Sequence, residues 1–352
     1  MSSDPKPVDD RGTSDDRTTV ALLVGGSVGP EILAPVLSVL DAADFRLDFE
    51  RVDVQVPRRS TVDTYLDEAI AATRRHKVAL KTKFLPPTRA LRDDGPPLPN
   101  PNVDLRLRLE LFAGIRPIRC LRGLPTRYPG LDLILIRENS EDIYKGIEHE
   151  VVPGIVQSMK VVTRAACDRI ARYAFRIAAE YDRKKLTFVH KGNIMKMSDG
   201  LFMRTVRQVA EQYPAIAYEE MIVDAACMNM VLKPESFDVI LTGNLYGDIL
   251  GSLGTGLVGG ISTANAISRS EEIYVFEAIH GDAPALVGTG RANPLPLLMP
   301  ALELGRHLGR HEQAQRVHAA VEEVLESGEN VTPDLGGDAG TRAMCDAIVA
   351  AM

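Results

Sequence analysis

The chain has 352 residues, of which 45% are hydrophobic and 25% charged, enough for one large or two medium domains with developed cores. Its 41 basic and 48 acidic side chains give a formal net charge of -7. That balance excludes partners needing a broad positive field, nucleic acid and membrane surfaces among them, but leaves small anionic ligands held by local arginines. Residues 1–17, MSSDPKPVDDRGTSDDR, are polar and Asp-rich, as expected of a disordered tail. They have neither the apolar centre of a signal peptide nor the Arg-rich, acid-poor make-up of a transit peptide, so a cytoplasmic location is expected.

VALLV (20–24) reads as a strand followed by a helix at about 29–41, and VAL (78–80) as a strand leading into a Pro-rich loop at 83–102. LDLILI (131–136) leads into a charged, Gly-containing segment. KKLTFVH (184–190), AYEEMIV (217–223) and FDVIL (237–241) each precede a helix, near 198–212, near 225–232 and at NLYGDILGSL (244–253). From about 292 the chain reads as amphipathic helices covering a sheet. Such alternation predicts an α/β protein with a largely parallel sheet, whose ligands collect at the carboxyl ends of strands. Cys120, Cys167, Cys227 and Cys345 lack CxxC spacing, so neither a zinc site nor a disulfide framework is expected.

Polar residues at strand ends form a consistent set. Arg106, Arg116 and Arg137 follow or flank strands, and three arginines suit two or three carboxylates. Asp224 ends MIVD and Asp248 follows FDVIL, supplying the oxygen donors that Mg²⁺ or Mn²⁺ prefers. Tyr144 lies in RENSEDIYKGIEH and Lys191 ends FVHK, a pair able to exchange protons if burial or charge shifts their pKa values. Each alone reads more simply as a surface charge or a helix cap. Their recurrence at one kind of position favours the functional reading. Ser252 stands one helical turn after Asp248, where a second carboxylate would share its face.

RENSEDIYKGIEH (137–149), VHKGNIMKMSDGLF (190–202), NLYGDIL (244–250), GLVGG (256–260), FEAIHGDAP (276–284) and DLGG (334–337) together resemble the β-decarboxylating dehydrogenases, the isocitrate/isopropylmalate dehydrogenase family, over roughly 18–351. The NAD-type isocitrate branch is the nearest in flavour. The resemblance implies an isopropylmalate dehydrogenase-like two-domain α/β fold with a mixed, largely parallel central sheet. A large domain would comprise 18–111 and 259–352, and a small domain 112–258 would carry a dimer clasp at about 140–165. It also implies a homodimer or larger assembly with shared active sites, a divalent metal (Mg²⁺ or Mn²⁺), and NAD, with NADP as the alternative.

Residue by residue, the resemblance makes Arg106, Arg116 and Arg137 the substrate-carboxylate arginines, with Asn100 and Asn102 beside them. Tyr144 becomes the proton donor to the enolate carbon, and Lys191 the group assisting hydroxyl deprotonation. Asp224 and Asp248 become metal ligands, with Lys191 and Asp224 reaching the neighbouring protomer's site. The implied reaction is oxidation of a 2-hydroxy acid bearing a 3-carboxylate, an isocitrate-like tricarboxylate being favoured, followed by loss of CO₂ to an enolate.

The departures concentrate on the dinucleotide side. Gly26, Thr82, Pro86, Asp282 and Ala285 replace family residues, while His280, Gly281 and Asn293 match adenine-side positions. Ala285 stands where NAD users place a carboxylate. Arg269, Arg291 and Lys83 are the cations able to offset Asp282. Ser252 replaces the second metal-site Asp, and Asn100 a Ser. An active decarboxylating dehydrogenase is therefore weighed against a non-catalytic, regulatory tricarboxylate-binding homologue paired with a catalytic subunit.

Overall fold

A computed structural model describes residues 17–54, 63–85, 100–279, 281 and 283–352. The expected tail, apart from Arg17, lies outside the described residues, as do most of the Pro-rich stretch, Pro86, His280 and Asp282. Arg17 itself donates to Asp48 at 2.6 Å, just before the first strand.

In chain order the elements begin with β1 (Thr18–Val24), α1 (Gly29–Ala42), β2 (Leu47–Asp53), α2 (Asp67–His76), β3 (Val78–Lys81), α3 (Pro101–Arg108), β4 (Ala113–Arg119) and β5 (Asp132–Glu138). There follow a hairpin of β6 (Glu148–Val152) and β7 (Ile155–Ser158), α4 (Arg164–Glu180), β8 (Lys185–His190), α5 (Ser198–Ala210), β9 (Ala217–Ile222), α6 (Val223–Leu232), β10 (Val239–Thr242) and α7 (Asn244–Leu257). The last are β11 (Asn265–Arg269), β12 (Tyr274–Ala278), α8 (Leu295–His307), α9 (His311–Ser327) and α10 (Thr341–Ala350).

The chain divides into two compact units. The central unit holds Glu110–Arg119 and Arg127–Val258; the outer unit holds the described residues up to Leu109, Cys120–Thr126 and Gly259–Met352. Each contains a mixed, mostly parallel sheet.

In the outer unit the strand order is β2-β1-β3-β12-β11, parallel except for β11 against β12. The run Val20–Val24 is wholly buried, as a strand covered on both faces must be. Helix α8 is apolar on nearly every side, from Leu295 through Met299 to Leu304, and packs on β12, β11 and α9. Helix α9 is amphipathic instead, burying Ala314, Val317, Ala320, Val321 and Val324 at three- and four-residue spacing. It ends at Gly328, whose φ of 68° suits a residue without Cβ.

In the central unit the order is β4-β5-β10-β8-β9, with β5, β10, β8 and β9 parallel and β4 antiparallel to β5. The carboxyl ends of four strands therefore lie along one edge, where loops and helix starts bring polar residues together. Helix α4 starts where Thr163 accepts the Ala166 amide at 3.2 Å. Cys167 and Cys345 are buried, and burial pushes both thiols up to about 12, so they behave as small apolar side chains.

His307 on α8 stacks on Tyr274 with ring centroids 4.1 Å apart, and burial followed by the Arg269 charge lowers its pKa from 6.5 to about 4. As pH falls through 6.5 the unfolded chain gains a proton there that the folded chain does not accept until about 4. Stability is thus lost across that window, by on the order of 3 kcal/mol. His307→Gln is expected to flatten the pH dependence of urea unfolding between pH 6.5 and 4 relative to the parent.

Candidate active site

In the central unit, Asp248 is the fifth residue of α7, and its carboxylate is the point on which three other expected site residues converge. Arg137, near the carboxyl end of β5, donates from Nη1 to Asp248 Oδ1 at 2.6 Å, and Arg116 on β4 donates to the same oxygen at 3.2 Å. Tyr144 donates its hydroxyl to Oδ2 at 2.7 Å. The convergence follows from register: Arg137 pairs with Thr242 at the end of β10, from which α7 starts. Arg137 also donates from Nε to Asn244 Oδ1 at 2.8 Å, and its guanidinium lies 5.0 Å from the Tyr144 ring centroid.

Two glycines of α7 make this possible. A Cβ at Gly247 would lie 2.6 Å from Arg137 Cγ and 2.8 Å from its Cβ, and one at Gly251 would lie 2.8 Å from Arg116 Cδ. The glycines of NLYGDILG thus form a groove that seats two arginines beside one carboxylate. Burial, then the hydrogen bond to Asp248, raises the Tyr144 pKa above its ordinary 10.0, so the phenol keeps its proton at neutral pH.

Lys191 and Asp224 form a second pair. They follow β8 and β9, adjacent parallel strands whose last residues, His190 and Ile222, are in register. The Lys191 ammonium donates to Asp224 and holds that exposed carboxyl below its ordinary pKa. Ser252 is exposed, and its hydroxyl donates to the Asp248 carbonyl one turn back at 3.0 Å.

The outer unit contains its own polar cluster. Lys81, at the end of β3, is in register with Glu277 on β12, and its Nζ lies 3.0 Å from Glu277 Oε2. Arg106 and Ser268 donate to the other oxygen at 3.4 and 2.9 Å. Burial opposes the charge on Glu277, but Lys81, Arg106 and Ser268 outweigh it and hold the carboxyl well below its ordinary range. Arg106 lies on α3, not beside a strand, and its buried Nε has no hydrogen-bond partner among the described residues.

Asn100 caps α3, accepting the Asn102 amide at 3.0 Å. Asn102 accepts from Lys81 at 2.9 Å and donates to the Phe84 carbonyl at 2.8 Å, fixing α3 to the strand end. Lys81 and Glu277 were not among the expected site residues. Their signal is an acid and a base, each ending an apolar strand run.

Of the expected cofactor residues, Ala285 lies in a short turn at Pro284–Leu286. The loop following it is held to α1 by Glu31, which accepts the Gly288 and Gly290 amides at 2.7 and 2.6 Å. Asn293 donates to Ser262 and Asp334, both at 2.8 Å, and accepts the Leu295 amide at 2.9 Å, so its side chain holds the start of α8. Gly281 is exposed. Neither Gly281 nor Ala285 carries a carboxylate.

Gly26 has φ of 79°, and the space of its missing Cβ is filled by the Lys83 carbonyl. Thr82 accepts the Gly25 amide at 2.7 Å and donates to the Gly25 carbonyl at 2.9 Å. Arg269 is buried and occupied by the Ser270 and Glu271 carbonyls at 2.6 and 2.9 Å.

The isocitrate/isopropylmalate dehydrogenase family model matches residues 19–349. The chain belongs to this family. It is thus a β-decarboxylating dehydrogenase in family, and the family implies NAD and a divalent metal. An NAD isocitrate dehydrogenase catalytic subunit of Arabidopsis thaliana is 40% identical over 93% of this chain and 88% of that protein. The alpha subunit of Homo sapiens is 39% identical over 95% of this chain and 90% of that one, and a regulatory subunit of Arabidopsis thaliana is 40% identical over 95% and 89%. The solved structure of isocitrate dehydrogenase from Methylococcus capsulatus superposes with a TM-score of 0.85 at 35% identity, covering 95% of this chain and 99% of that chain.

Among the described residues no group of three or more His, Cys, Asp or Glu is placed to hold a metal ion. Asp224 and Asp248 nevertheless have the donor chemistry that a hard divalent ion takes, and would hold it together with water or substrate oxygens. Ser252→Asp adds a carboxylate on the face of Asp248. Calorimetric titration is expected to show Mn²⁺ binding tightened by about tenfold; unchanged affinity means that position 252 does not face the metal.

Proposed function

We propose that this chain catalyses the metal-dependent oxidative decarboxylation of an isocitrate-like 2-hydroxy tricarboxylate with NAD. The observation that supports it most directly is the convergence of Arg116, Arg137 and Tyr144 on Asp248, two anion-binding arginines and a protonated phenol around one oxygen ligand. Arg116 and Arg137 bind a substrate carboxylate, and Arg106, with its buried unpaired Nε, is the outer unit's carboxylate receptor. Lys191 assists removal of the hydroxyl proton, and Tyr144 returns a proton to carbon after CO₂ has left. Asp224 and Asp248 would hold Mg²⁺ or Mn²⁺, which when bound acts as a Lewis acid on the hydroxyl and adjacent carboxylate. NAD, when bound, would supply the hydride acceptor.

The β6–β7 hairpin supports assembly with a second copy. All of its residues are exposed, including Val152, Ile155 and Val156 at 50%, 55% and 66%. An apolar hairpin so open needs a cover, and we assign that cover to the equivalent hairpin of a homodimer, with Lys191 and Asp224 serving the partner's site. The four free cysteines fit a reducing compartment, and we place the protein in the cytoplasm.

One observation favours the regulatory reading. Ala285 presents a methyl group where a ribose-binding carboxylate is expected, and both Asn293 amide hydrogens are engaged by Ser262 and Asp334.

Titration with Mn²⁺, isocitrate and each dinucleotide, followed by both heat and NAD(P)H absorbance, separates the two readings. Catalysis is expected, with Tyr144→Phe and Lys191→Ala each lowering kcat by roughly 10² to 10⁴. Metal-dependent isocitrate binding without any dinucleotide binding at about millimolar concentration would leave only the regulatory role.

A further inference from the structure

Beside the Asp248 cluster the central unit contains a small cleft lined by Glu138, Asp142, Lys160, Asp199 and Tyr246 among others. Lys160 is its one ammonium. It lies two residues beyond β7, at the exit of the clasp hairpin, and its side chain is 16% exposed. The Nζ is 2.6 Å from Asp199 Oδ1 and 3.8 Å from Asp142 Oδ1, and lies 4.8 Å from the Tyr246 ring centroid.

Each of these buried carboxylates uses its other bonds on the backbone of a site segment. Asp199 Oδ2 accepts the Lys191 amide at 2.7 Å. Asp142 Oδ1 accepts the Ile143 amide at 2.9 Å, starting the turn that carries Tyr144, and its Oδ2 accepts the Leu245 amide at 3.1 Å in the first turn of α7, which carries Asp248. Asp142 sits at φ 72°, an unfavourable backbone for a side-chain-bearing residue, so its position depends on these bonds.

We infer that Lys160 is a positioning residue which, through Asp199 and Asp142, sets the two proton-transfer groups Lys191 and Tyr144, each for the site it serves, and ties both to the clasp hairpin. The inference rests on the proposed reaction for its kinetic consequence but not for its structural one. An ammonium between two carboxylates fixes their separation. Without it, two buried like charges are left to repel, and the segments they hold drift apart. Lys160 touches no reacting atom, so its loss acts on the chemical step and not on carboxylate binding by Arg116 and Arg137.

The test compares Lys160→Met and Lys160→Arg in the full-length protein. Lys160→Met is expected to lower kcat by about a hundredfold while leaving KM for isocitrate and Mn²⁺ affinity within about twofold, and Lys160→Arg is expected to restore most of the rate. Amide hydrogen exchange gives an arm that needs no activity. Peptides spanning 190–196 and those spanning 143–145 and 244–248 are expected to exchange faster in Lys160→Met but not in Lys160→Arg.

Unchanged kcat, a defect confined to KM, failure of Arg to rescue, or faster exchange in the hairpin alone would each overturn the assignment. If the parent protein shows no turnover, it is the proposed reaction that fails, and the exchange result still decides the role of Lys160. Should Lys160→Met not fold, Asp199→Asn cuts the same link at constant size and is read by the same kinetic split and exchange pattern.

Discussion

The central unit is organised around the neutralisation of one carboxylate. Asp248 accepts from two guanidiniums and a phenol, and that concentration of donors requires α7 to give up side chains at 247 and 251 so that the arginines lie against its backbone. Glycine in a helix interior costs up to about 1 kcal/mol per residue relative to alanine, a cost repeated here at positions i and i+4. Asn244, at the start of the same helix, then fixes Arg137 from the other side. Once Asp248 is placed, the orientations of Arg137, Arg116 and Tyr144 follow.

The outer unit repeats the charge pattern with different parts. There Lys81 and Arg106 surround Glu277, as Arg137 and Arg116 surround Asp248. In both clusters two cations face one anion. A chain of formal net charge -7 thus concentrates positive groups locally.

The departures from the family pattern also have a physical order. At Gly26 the turn after β1 adopts a left-handed backbone that only glycine tolerates well, and the Thr82 hydroxyl holds the same turn by bonding both the amide and the carbonyl of Gly25. Ser252 turns its hydroxyl back onto its own helix.

The α/β class, the parallel order of the central strands and the polar residues at their carboxyl ends were legible from the chain, because buried strands read as apolar runs and their loops as punctuation. Arg116, Arg137, Tyr144 and Asp248 were identifiable one by one. Their meeting on a single carboxylate was not, since it depends on the register of β5 with β10 and on the groove at Gly247 and Gly251. Asn100 read as a ligand residue, and in the fold its Oδ1 caps a helix, a role decided by where α3 begins. Lys81, Glu277, Asp142, Lys160 and Asp199 stayed silent in sequence because each looks like an ordinary charge until burial removes water and forces it to find partners. Sequence determined which side chains were available and which face of each element is apolar; only the tertiary structure decided which charges are taken out of water together, and that pairing is what makes a site.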